Sequence, residues 1–111
     1  MIKITTGDTA GFTFSLVYPG DVADHPVPDI SNTTVRFIIK KNVNEPDYKA
    51  VFMQEIAHPE TNIVHFEMKP EDTAKLVSGT YKAGCKLFYD NGLELTVWSD
   101  DVLATKGVFD A

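Results

Sequence analysis

Apolar side chains recur at every second position through most of this chain, and an extended strand is the backbone that puts such residues on one face. Phe12, Phe14 and Leu16 alternate with Thr13, Ser15 and Val17. Val35, Phe37 and Ile39 alternate with Arg36, Ile38 and Lys40, and Val64, Phe66 and Met68 with Ile63, His65 and Glu67. Tyr81, Ala83, Cys85 and Leu87 alternate with Lys82, Gly84, Lys86 and Phe88, and Leu93, Leu95 and Val97 with Glu94, Thr96 and Trp98. The helical period of 3.6 scarcely appears. The runs are rich in β-branched and aromatic residues, the composition of sheets with one buried face.

Turn chemistry separates the runs. Gly7-Asp8 ends the first strand, and Pro19 to Thr33, with three prolines and a glycine, reads as the longest loop. Asn44 to Asp47 turns around Pro46, and His58-Pro59-Glu60 makes another turn. Asp90-Asn91-Gly92 lies between two strand runs, and Asn-Gly suits the positive φ of a type I′ hairpin turn. Pro70 to Val77 has one turn of helical character, since proline is at home in a first helical position. Seven to nine short strands in 111 residues predict a single all-β domain over 1–111, an immunoglobulin-like antiparallel β-sandwich. Gly79 and Tyr81 after the helical turn match the corner before strand F, where a tyrosine hydroxyl bonds back to the backbone upstream. Cys85 has no partner and Trp98 comes too late for the disulfide and strand-C tryptophan of antibody domains. The predicted core comprises Phe14, Leu16, Val35, Phe37, Ile39, Val64, Phe66, Tyr81, Cys85, Leu87, Leu95 and Val97.

With 43% apolar residues the chain has material for one core without staples. A single cysteine excludes an intrachain disulfide, and the N-terminus reads as strand rather than signal peptide. The expectation is synthesis in a reducing cytosol, without a secretory signal. A net charge of −6 disfavours nucleic acid and anionic membrane as partners.

Chemistry is sparse. His25 and His58 precede prolines in expected loops, and His65 lies on an outer strand face, without zinc-site spacing. Asp21, Asp24 and Asp29 share the long loop and Asp100-Asp101 begins the expected last strand, but none follows a calcium-loop pattern. Cys85 falls in phase with buried positions, where a thiol behaves as a small hydrophobe. No nucleophile elbow or phosphate-binding glycine loop is present. The expectation is a non-enzymatic chain with no metal, no cofactor and no catalytic residues.

One surface is distinctive. Strands C and F are neighbours in such a sandwich. Their outward residues are Arg36, Ile38 and Lys40 on one and Lys82, Lys86 and Phe88 on the other. Four cations would then surround two large apolar side chains on a net-acidic chain, the cations steering an acidic partner and the apolar groups supplying burial. A carbohydrate-binding module is the alternative, with Tyr18, Tyr48, Tyr89 and Trp98 near strand ends as an aromatic platform.

The order and spacing of these segments carry a resemblance. Gly7-Asp8-Thr9 leads into Phe12 to Leu16, and a loop precedes Thr34-Val35-Arg36-Phe37-Ile38-Ile39-Lys40. Val64-His65-Phe66, Asp72-Thr73, Leu76, Gly79-Thr80-Tyr81, Asp90-Asn91-Gly92 and a closing Lys106-Gly107-Val108-Phe109 strand follow. Across nearly its whole length the sequence resembles the N-terminal immunoglobulin-like domain of upper baseplate and related tail proteins of phages that infect Gram-positive bacteria. The resemblance implies a structural, virion-located protein that joins other phage tail or baseplate proteins in homo-oligomeric assemblies.

Overall fold

The computed structural model describes residues 1–17 and 30–107. Its strands are β1 (Ile2–Thr6), β2 (Ala10–Ser15), β3 (Thr33–Lys40), β4 (Phe52–Ala57), β5 (Ile63–Met68), β6 (Gly79–Tyr89) and β7 (Glu94–Lys106). The one α-helical turn among the described residues, α1 (Pro70–Thr73), lies where Pro70 permits it. A five-stranded sheet in the order β1-β7-β6-β3-β4 faces a two-stranded sheet of β2 and β5. The molecule is thus an all-β sandwich, as the alternation requires.

Expected strands C and F are β3 and β6, paired antiparallel from Thr33 opposite Tyr89 to Lys40 opposite Lys82. One pairing departs from the antiparallel expectation: β1 lies parallel to β7, with Ile2 opposite Val102 and Thr6 opposite Lys106. The Gly7-Asp8 turn sends the chain into the other sheet, so β1 forms no hairpin with β2 and takes the edge beside the last strand. Gly7 adopts φ 88°, which favours glycine there.

The core is built around Phe37, fully buried on β3. Its ring meets Phe12 at 4.7 Å, Phe66 at 5.5 Å and Phe14 at 5.7 Å from the small sheet, and Phe52 at 6.0 Å beside it. Ten of the twelve expected core residues are buried; Leu95 and Val97 are half-buried against the core. A bulge explains the shift. Cys85 pairs with Trp98 but Lys86 with Thr96, so Val97 is the extra residue and the inward phase of β7 slips by one. Trp98 therefore points inward, its ring 5.0 Å from Phe14, and Val102 and Ala104 complete the buried row.

The hairpin after β6 corrects the expected turn type. Gly92 has φ 94° and Asn91 has no positive φ, whereas a type I′ turn needs both. Gly92 N–H donates to the Tyr89 carbonyl at 3.0 Å and Tyr89 N–H to the Leu93 carbonyl at 2.8 Å, the bonding of a three-residue loop with a glycine bulge. Asp100 and Asp101 do not begin a strand but lie within β7. Of the expected long loop, only its end is described, a 3₁₀ turn at Ile30–Asn32 capped by Thr33 Oγ1 donating to the Ile30 carbonyl at 2.6 Å. Tyr18, Asp21, Asp24, His25, Asp29, Val108 and Phe109 lie outside the described residues.

Candidate functional site

The outer face of β3 and β6 brings the six expected residues together. Arg36 lies opposite Lys86, Ile38 opposite Gly84, Lys40 opposite Lys82, and Phe88 opposite Thr34. Their inward neighbours Val35, Phe37, Ile39, Cys85 and Leu87 are buried, so the pleat forces these side chains outward.

Glycine at position 84 shapes the middle of this face. A hollow of about 230 Å³ lies over it, walled by Ile38, Lys86, Phe88 and Thr96. A β-carbon at Gly84 would meet only the Trp98 carbonyl, at an ordinary 3.6 Å. The backbone therefore does not require glycine there, and the missing side chain is what opens the hollow.

The cations are not free. Arg36 Nε donates to Glu55 at 2.9 Å and its Nη1 to Asp47 at 2.7 Å, while Lys40 Nζ reaches Asp47 at 2.7 Å. Lys86 pairs with Glu94 at 2.7 Å, and Lys82 with Asp101. The Arg36 guanidinium also sits 4.4 Å from the Phe88 ring centre, and Lys86 Nζ 5.3 Å from it. Phe88 thus lies under two cations that its ring face attracts. The hydrogen bond from Lys40 holds the Asp47 carboxyl below its ordinary value; burial opposes this and Arg36 adds to it. Burial opposes the charge on Arg36 as well, and the hydrogen bonds to Glu55 and Asp47 outweigh it, raising its pKa.

This pairing corrects the expectation of a basic face that steers an acidic partner. Arg36, Lys40, Lys82 and Lys86 are matched by Asp47, Glu55, Asp101 and Glu94, so their charges cancel. The net −6 of the chain is carried elsewhere. Glu55 and Glu94 are cross-strand neighbours of Arg36 and Phe88, legible only once the β3–β4 and β6–β7 registers are known. Asp47 comes from a 3₁₀ turn before β4 and carries no periodic signal.

The other candidates stand apart. His65 Nδ1 and Thr13 Oγ1 share a hydrogen bond at 2.9 Å on the small sheet, and His58 lies 3.4 Å from Asp90. Among the described residues no three His, Cys, Asp or Glu side chains are grouped to hold a metal ion. Cys85 is fully buried, and burial alone pushes its thiol up to about 12. Among the described residues no aromatic platform assembles: Trp98 is half-buried against Phe14 and Phe37, Tyr48 projects alone at 82% exposure, and Tyr89 is half-buried at the end of β6.

Comparison with protein-family models, curated proteins and solved structures found no match.

Proposed function

We propose that this chain is a non-enzymatic structural module of a phage or prophage tail or baseplate, docking to further copies of itself through the β3–β6 face. The resemblance in segment order supplies the setting. The observation that carries the docking reading is the charge balance of that face on an otherwise acidic chain. Two copies meeting through acidic surfaces repel, whereas a mosaic of alternating signs is compatible with its own two-fold image. Ile38, Phe88 and, on neighbouring β4, Met53 at 46% exposure supply apolar area for burial. The hollow over Gly84 offers a seat for a side chain of the opposing copy.

Labelling of tailed particles tests the setting. Antibody raised against the purified domain should decorate the tails of particles released by the host that carries this sequence. Bare particles, with the chain recovered only from cell contents, contradict it.

A further inference from the structure

The two sheets are unequal, and the smaller one leaves a slot beside β2. Among the described residues β2 pairs only with β5. Leu16 N–H donates to the Asn62 carbonyl at 2.6 Å, which sets the alternation of the ladder. Phe12 and Phe14 bond toward β5, and the N–H groups of Gly11, Thr13 and Ser15 point the other way.

A groove of about 580 Å³ runs along that second side, with Gly11 to Ser15 as one wall and Ile2, Val97 and Trp98 on the other. A hollow of about 290 Å³ continues it past Ile2 and Gly11 toward Asp8. The slot therefore follows the whole length of β2, lined on its other side by residues of β1 and β7.

Charge limits what fits. Sheet edges are usually protected by charge. Of the four edge strands among the described residues, β1 carries Lys3, β4 carries Glu55 and β5 carries His65 and Glu67, whereas β2 carries no charge. The wall opposite β2 is apolar at Ile2, Val97 and Trp98, so inward side chains of the occupant must be uncharged. Lys3 and Asp8 flank only the far hollow.

We infer that β2 is a strand-acceptor edge, which takes an extended segment of a partner polypeptide with uncharged apolar side chains at alternate positions. Backbone bonds to Gly11, Thr13 and Ser15 supply affinity, and alternate side chains pack over Val97 and Trp98. This site is separate from the β3–β6 face and stands or falls without it.

Trp98 is the only tryptophan, so its emission reports on the groove directly. The probe is an acetylated and amidated octapeptide alternating threonine with valine between terminal lysines. Its titration into the full chain should shift Trp98 emission to the blue and protect the Gly11, Thr13 and Ser15 amides from hydrogen exchange. Thr13→Pro removes an outward N–H at a position where an edge strand tolerates proline, and should weaken binding about tenfold or more. The same peptide with N-methyl groups on alternate residues of its pairing edge should not bind to the unaltered protein, a control independent of any variant's folding. Equal affinity of both peptides, no spectral change, or amides already protected in the free chain would each overturn the inference.

Discussion

The Tyr81 hydroxyl donates to the Val77 carbonyl at 2.7 Å, closing the corner between α1 and β6. The tyrosine ring is buried, so one side chain both fills the core and anchors the chain where it enters the five-stranded sheet. Tyr81→Phe keeps the ring and loses the bond, and should cost about 1 kcal/mol. A thermal melt should fall by about 4–8 °C, the scale for a domain of this size. An unchanged midpoint would show that the corner bond adds nothing to stability.

Phe37 has the most central ring of the core, with five aromatic neighbours including Trp98 at 6.4 Å. Phe37→Ala should destabilise by about 3–5 kcal/mol, the range for truncating a large buried aromatic. Denaturant titration of variant and wild type measures it, and a loss below about 1 kcal/mol would contradict the packing described.

Cys85 tests burial through chemistry. Its thiol is pushed up to about 12 from an ordinary 9.0, so the unfolded chain ionises first as pH rises. Stability from this group is intact below about pH 9 and is lost as pH climbs toward 12. A thiol reagent at about pH 8 should label the native protein only as fast as it opens, and the denatured protein at once. Equal labelling rates would place the sulfur at the surface.

The Asp47 carboxyl, shared by Lys40 and Arg36, has its pKa lowered, which gives the opposite sign. Its contribution is present above the ordinary 3.8 and disappears as pH falls through the lowered value. The side chain is 43% exposed, so the contribution is at most about 1 kcal/mol after solvent screening. Asp47→Asn should melt slightly below wild type near neutral pH, and the gap should close in acid. A gap that widened in acid would reverse the sign of the argument.

The alternation of Val35, Phe37 and Ile39 with Arg36, Ile38 and Lys40 made β3 legible before any coordinates, because a strand buried on one side repeats every two residues. The same logic placed β6, its neighbourhood to β3 and all six residues of the outer face, while the register between the two strands came from the structure. It failed where the period broke. The bulge at Val97 turned Trp98 from an expected surface aromatic into one that faces inward, half-buried against the core, and no local signal marks that extra residue. Pairing of the face's cations was equally hidden, since Asp47 and Glu55 reach Arg36 across tertiary contacts rather than along one strand.

Sedimentation velocity of wild type and Ile38→Asp tests the docking face most directly. Ile38 stands opposite Gly84 at the hollow, and an aspartate there would oppose its own image across a two-fold contact. Wild type should show a concentration-dependent species larger than the 12.3 kDa monomer. Salt should change it little, because the cations of the face are already paired within each chain. The variant should keep its circular dichroism spectrum and sediment as monomer at every concentration. A wild type that stays monomeric throughout, or a folded variant that assembles as wild type does, would contradict docking through this face.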